Sequence, residues 1–143
     1  MNNMEFKIFN DATDEIMALR KDVFIVEKNV PEEEELDGKE KEHIHFGMYE
    51  NGTLIACLRA QGVGDGLLHI GRIAVRKDCR GKGMGKTLLE FLFTYAKENG
   101  FSAVELSAMD SAEEFYKKLG FVSEGDYYPE AGIPHIYMKK ELQ

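Results

Sequence analysis

Ile73-Ala74-Val75-Arg76-Lys77-Asp78-Cys79-Arg80-Gly81-Lys82-Gly83-Met84-Gly85-Lys86-Thr87-Leu88-Leu89 is the stretch that decides the fold. It opens on apolar residues, breaks into glycines at alternate positions among basic side chains, and resumes with apolar residues at helical spacing. The pattern reads strand, glycine loop, helix. Glycines leave backbone N–H groups uncovered, and a helix N-terminus adds partial positive charge, so such a loop suits an anion. Arg80, Lys82 and Lys86 add full charges. The segment Arg80, Gly81, Lys82, Gly83, Met84, Gly85, Lys86 is therefore expected to hold a phosphate compound.

The spacing narrows which compound. A nucleotide-triphosphate loop needs four residues between its first glycine and its Gly-Lys pair. Here only three, Lys82 to Met84, separate Gly81 from Gly85-Lys86. A dinucleotide loop fails as well, because its third glycine falls at Lys86.

Upstream, Glu5 to Phe9 alternates as a strand does. Asn10 or Asp11 is placed to cap a helix in which Ala12, Ile16, Leu19, Val23 and Val26 recur at helical spacing. Pro31 and the run Glu32 to Glu35 then read as a solvated connection. His45 to Tyr49 and Thr53 to Ala60 form two strands joined through Asn51-Gly52, a hairpin turn signal. A third strand, Leu67 to Val75, completes a meander. Gly71 inside it predicts a bulge or a close backbone approach by another group.

Downstream, the helix after the loop ends at Asn99-Gly100. Ala103 to Leu106 is a short apolar strand. Ser111 with Glu114 matches a capping box for a helix from Ala112 to Leu119. Phe121 begins a strand, a loop with Pro129, Gly132 and Pro134 follows, and Ile136 to Leu142 closes the chain. The order predicts an α/β class of mixed α+β type, with a mostly antiparallel mixed sheet of about seven strands and helices on both faces.

The bulk numbers set limits. A length of 143 residues fits one domain. A net charge of −8 disfavours nucleic acid and anionic membrane as partners and favours a cationic substrate. Cys57 and Cys79 lack metal-like spacing. The polar N-terminus and the lack of a long apolar run point to a cytoplasmic, membrane-free protein. His43 and His45 stand two apart without a third ligand at a supporting spacing, so no metal is expected. Cys79 adjoins the basic loop, where positive charge lowers a thiol's pKa, but it reads as a small residue in a turn.

Arg80-x-x-Gly83-x-Gly85 after Ile73-Ala74-Val75 resembles the acyl-CoA signature of the GNAT acetyltransferase superfamily. A second signature, Ala112-x-x-Phe115-Tyr116-x-Lys118-x-Gly120-Phe121, resembles it too. Arg20 to Glu27, Asp37, His45 and Gly132-Ile133-Pro134-His135 resemble the ElaA-type branch. The resemblance covers almost the whole chain. Many members carry Asn where this chain has Met109, leaving Asp110 or Ser111 as substitutes.

The resemblance implies a single N-acetyltransferase domain over 1–143, with splayed central strands at a CoA cleft. It implies acetyl-CoA as cosubstrate and an amine acceptor, small molecule or peptide; a homodimer is an open expectation. The pantetheine arm would lie along Ile73, Ala74 and Val75, and the pyrophosphate on Arg80 to Lys86. Tyr116 would protonate the departing thiolate, since a phenol with pKa near 10 can do so for a thiol with pKa near 8.5. Glu27 and His135, with His45 third, are the candidate bases. The alternative is a non-catalytic acyl-CoA sensor.

Overall fold

The computed structural model describes residues 3–143. In chain order it contains β1 (Met4–Phe9), α1 (Asp14–Arg20), a π-helix (Lys21–Glu27), α2 (Glu32–Glu35), β2 (Ile44–Glu50), β3 (Thr53–Gly62) and β4 (Leu67–Val75). It continues with α3 (Met84–Glu98), β5 (Ala103–Met109), α4 (Glu113–Lys118), β6 (Val122–Glu130) and β7 (Ile133–Glu141). The strands form one seven-stranded sheet in the order β1-β2-β3-β4-β5-β7-β6. β4 and β5 run parallel, while β1–β2, β2–β3, β5–β7 and β6–β7 are antiparallel. The mixed, helix-flanked sheet expected from the sequence is the observed one. Two compact units divide the chain: Met1–Gln61 with Arg72–Leu89, and Gly62–Gly71 with Glu90–Gln143.

The core of the first unit joins Ile16, Leu19, Val23 and Phe24 to Tyr49, Leu54, Cys57 and Ala74. Thr13, not Asn10 or Asp11, caps α1, its side chain accepting from the Ile16 N–H at 3.2 Å. Past Arg20 the helix widens. The Lys28 N–H reaches the Val23 carbonyl at 3.1 Å, an i→i−5 bond. Extra residues per turn rotate later side chains away from the α-helical face. Val26, placed by its spacing on the buried face, is consequently 64% exposed.

Asn51 (φ 51°) and Gly52 (φ 84°) make the β2–β3 turn with both residues left-handed, as the Asn-Gly pair predicts. The run Glu32–Glu35 departs from its reading as a solvated connection. It forms one helical turn, and Glu35 is only 2% exposed because two arginines enclose its carboxylate.

In the second unit Leu68, Ile70, Val104, Leu106 and Met138 are buried. The Phe121 ring lies 5.9 Å from that of Phe93. The Ser111–Glu114 capping box does not form. Asp110–Ala112 is a 3-10 turn, and α4 starts at Glu113 with no side-chain cap. The expected loop around Pro129 and Pro134 is also absent. Ala131 (φ 51°) and Gly132 (φ 74°) make a tight hairpin, with Pro129 opposite Pro134. Both prolines fit because β6 is the edge strand and the β5–β7 register ends at His135. Among the described residues no helix is long and apolar enough to cross a membrane.

His43 and His45 tie the chain before β2 to its own backbone. His43 Nδ1 donates to the Lys39 carbonyl, and His45 Nε2 donates to that of Glu40, both at 2.7 Å. Burial pushes both imidazoles below their ordinary value of 6.5. The folded pKa is thus the lower one, so both support the fold fully above about pH 6.5 and lose that support as pH falls toward the folded values. Asp37, held far below 3.8 chiefly by the Arg59 hydrogen bond, loses its contribution only in stronger acid. The urea midpoint is expected to drop between pH 7.5 and 5.5. A midpoint constant over that interval would show that burial of the histidines costs the acid form nothing.

Candidate active site

The loop between β4 and α3 has the shape its glycines predict. Gly81 (φ 76°) and Gly83 (φ 77°) are left-handed, and a Cβ added at either would meet no atom within 4 Å. The backbone there is open to an approaching group. Thr87 closes the first turn of α3, donating through its N–H (3.0 Å) and its hydroxyl (2.9 Å) to the Gly83 carbonyl. The leading N–H groups of α3 have no acceptor within their own helix, which leaves them for an anion. Gly85 and Lys86 belong to that first turn.

Arg80 is held from two directions. Its Nε donates to the Val75 carbonyl at 3.0 Å. Its two terminal nitrogens grip the Glu27 carboxylate at 2.5 and 2.7 Å. That bond is the main reason Glu27 is a stronger acid than usual. A carboxylate so engaged is a poor proton acceptor, and its evident role is to fix Arg80. Beside the pair lies an open cavity of about 710 Å³, lined by apolar Leu19, Val23 and Val26 and by charges of both signs, Arg76 and Lys77 with Asp22, Glu27 and Asp78.

β4 leaves its regular course before reaching the loop. Its register with β5 covers Leu67 to His69. Gly71 is not left-handed, and the space where its side chain would stand is open. The irregular residue is the next one: Arg72 has φ 50° inside the strand. Ile73, Ala74 and Val75 follow, with Ala74 buried.

Tyr116, in α4, is 9% exposed. Its ring meets Phe121 edge-on, with centroids 5.7 Å apart, and Phe115 at 5.1 Å. Burial pushes its phenol up to about 12, so the hydroxyl keeps its proton at neutral pH.

His135, on β7, is 5% exposed. Its Nδ1 donates to the Ile133 carbonyl at 2.7 Å, which leaves the Nε2 lone pair as the basic position of the neutral ring. Nε2 lies 3.2 Å from Glu130 Oε2. The same oxygen accepts from Ser107 Oγ at 3.2 Å, and Ser107 is hydrogen-bonded to the Tyr128 hydroxyl at 2.5 Å. The Tyr128 ring stacks on His135 at 6.4 Å. Ser107, Tyr128 and Glu130 carried no signal in the sequence, because cross-strand pairing alone assembles them. His45, by contrast, is fully buried with Nε2 on a carbonyl, a structural placement. Among the described residues no three His, Cys, Asp or Glu side chains group as metal ligands would.

Residues 10–142 match the model of the acetyltransferase (GNAT) domain. The chain belongs to the GNAT acetyltransferase family. It is 37% identical over 125 residues to the uncharacterized N-acetyltransferase YjcF of Bacillus subtilis, covering 86% of this chain and 88% of YjcF. Protein ElaA of Escherichia coli is 33% identical over 132 residues, covering 89% of this chain and 86% of ElaA. The ElaA crystal structure superposes with a TM-score of 0.85 over 97% of this chain and all of that one. An acyl-CoA N-acyltransferase from Pseudomonas aeruginosa reaches 0.83 at 30% identity, over 98% and 99% of the two chains. Membership makes acyl transfer the relevant chemistry for this chain.

Cys79 sits in the turn Lys77–Cys79 ahead of the loop. Its thiol is shifted upward, by loss of solvation first and by the neighbouring Asp78 carboxylate second, and not downward by the basic loop. Its Sγ donates to Asp78 Oδ1 at 3.5 Å. Alkylation by iodoacetamide at pH 7.5 should therefore run slower at Cys79 than at a free cysteine. Faster reaction at Cys79 would show that the arginines and lysines of the loop outweigh Asp78.

Proposed function

We propose that this GNAT chain, acting as a single N-acetyltransferase domain over 1–143 in the cytoplasm, moves an acetyl group from acetyl-CoA to a small-molecule or peptide amine by direct attack. The observation that carries this is the open glycine loop at the mouth of α3, with Gly81 and Gly83 left-handed and no side chain filling the space above them. Peptide N–H groups from Arg80 to Lys86 would take the pyrophosphate, with Lys82 and Lys86 supplying charge. The backbone of Ile73, Ala74 and Val75 would pair with the pantetheine arm. Bound acetyl-CoA would supply the thioester carbonyl that the amine attacks.

The chain's own groups meet the proton demands. An alkylamine with pKa near 10.4 must lose a proton before attack. His135 fits that task better than Glu27, whose carboxylate is occupied by Arg80. With Nδ1 fixed on a carbonyl, His135 would take the proton at Nε2, and Glu130, whose Oε2 lies 3.2 Å from that same nitrogen and which is largely exposed, would move aside for the amine and pair with the imidazolium that forms. Tyr116, protonated at neutral pH, gives its proton to the thiolate. The net charge of −8 favours a cationic acceptor.

A second reading rests on the packing of Tyr116 between Phe115 and Phe121, which a purely structural tyrosine would share. On that reading the chain binds acyl-CoA as a sensor and turns nothing over.

Calorimetry with acetyl-CoA, followed by thiol release across an amine panel, separates the two. Micromolar binding with turnover is expected, whereas binding without turnover across the panel favours the sensor. Gly83→Val should weaken acetyl-CoA binding at least tenfold, because valine resists a left-handed backbone and fills the open space. Tyr116→Phe should lower kcat roughly 100-fold with little change in affinity. His135→Gln should lower kcat/KM at least tenfold with little change in acetyl-CoA affinity. An unchanged kcat in Tyr116→Phe removes the tyrosine from the mechanism.

A further inference from the structure

Three guanidiniums and three carboxylates of the first unit form a cluster with no place in the chemistry above. Arg20, in α1, is 1% exposed, and its Nε meets Glu35 Oε1 at 2.7 Å. Its Nη2 donates to the Glu35 carbonyl at 3.1 Å, and Nη1 faces Glu40 Oε1 at 3.5 Å. Arg72 Nε meets the other Glu35 oxygen at 2.6 Å. Arg72 Nη2 donates to the carbonyls of Glu34 and Glu35 at 3.3 and 3.2 Å and faces Asp37 Oδ2 at 3.5 Å. Arg59, on β3, grips both Asp37 oxygens at 3.1 and 2.5 Å.

This is a large investment in one backbone position. Arg72 is a non-glycine residue at φ 50° in the interior of a strand, a conformation that side chains avoid and that glycine accepts freely. Glycine stands next door at 71, in ordinary extended geometry, so the chain has placed the strain on the residue with the anchor. Flexible strands kink where glycine allows it. Here the left-handed residue carries a side chain whose contacts reach one carboxylate, two carbonyls and a second carboxylate. The residues downstream of the kink are Ile73 to Val75.

We propose that the Arg20–Glu35–Arg72–Asp37–Arg59 cluster fixes the left-handed kink at Arg72, so presenting the Ile73–Val75 backbone to the acyl-CoA arm, with Arg72 as a positioning residue. Glu35 is the centre of the device. It is the only carboxylate in the cluster with a different arginine on each oxygen, and its burial makes the ion pairs geometrically exacting. Glu32 to Glu34 remain exposed, so the short helix α2 exists to deliver its last residue inward. A Cβ built on Gly71 would meet no atom within 4 Å.

The inference rests on the acetyl-CoA reading, but one of its readouts does not. Arg72→Lys keeps a charge beside Glu35 and loses the fork that reaches the carbonyls. Arg72→Gly accepts the left-handed backbone and loses the anchor altogether. In both variants amide hydrogen exchange at Ile73 to Val75 should accelerate at least tenfold in the absence of any cofactor, while exchange at Phe46 to Met48 stays as in the wild type. The KM for acetyl-CoA should rise at least tenfold, with kcat changed less than threefold at saturation. Unchanged exchange at 73–75 in a folded variant overturns the inference, as does faster exchange throughout the unit. Wild-type protein that fails to bind acetyl-CoA overturns the reading beneath it, and the exchange result then decides the kink alone. Should Arg72→Gly fail to fold, Arg72→Lys carries the same two readouts.

Discussion

One carboxylate, that of Glu35, holds a different guanidinium on each of its oxygens, Arg20 on one and Arg72 on the other. Burying Arg20 and Glu35 is costly unless each charge is matched, and here each faces an opposite charge while Arg72 stays partly exposed. The arrangement joins three parts of the chain that are far apart in sequence: α1, the segment ahead of β2, and the middle of β4. Each constrains the others. α1 must present Arg20 before the helix widens, α2 must turn Glu35 inward, and β4 must kink for Arg72 to reach both. In our proposal the left-handed backbone at Arg72 follows from satisfying this one centre.

Functional segments extend from both ends of that arrangement. Past Arg72 the strand runs through Ile73 to Val75 into the loop whose glycines stay uncovered. Past Arg20 the helix becomes a π-helix that ends on Glu27, whose carboxylate grips Arg80. Widened helical turns are often found at functional sites, and here the widening carries Glu27 to the loop and turns Val26 outward to line a cavity. Glu27 thereby acts on the basic loop through geometry. Its hydrogen bonds to Arg80 make it less basic, which transfers the proton-accepting role in our proposal to His135.

The second unit assembles its polar groups by a different means. Its sheet register brings Ser107, Tyr128, Glu130 and His135 together from three strands, and the tight Ala131-Gly132 turn sets the pairing of β6 with β7. A parallel cluster joins His69 and Tyr137 to Glu105 at 2.6 and 3.0 Å. Neither cluster is marked by sequence spacing, because cross-strand neighbours in β5 and β7 lie from 26 residues apart (Met109 and His135) to 38 (Ala103 and Glu141).

The sequence alone determined the class of the fold, the order of its strands and longer helices, and the open, glycine-built form of the loop. Each of these depends on local rules: alternation for strands, 3.6-residue spacing for α3, left-handed tolerance at Asn51-Gly52, and bare peptide groups at Gly81 and Gly83. Only the tertiary structure decided which member of the Glu32–Glu35 run is buried, since four identical side chains carry no signal of the arginines that will meet one of them. It likewise moved the β4 irregularity from Gly71 to Arg72, because a distant anchor can hold strain that local propensity would forbid. The same holds for Cys79, where the carboxylate beside the thiol and the loss of water outweigh the positive charge that proximity in sequence suggested. Local conformation is written in neighbouring residues, whereas burial and proton affinity are set by whatever the fold brings alongside.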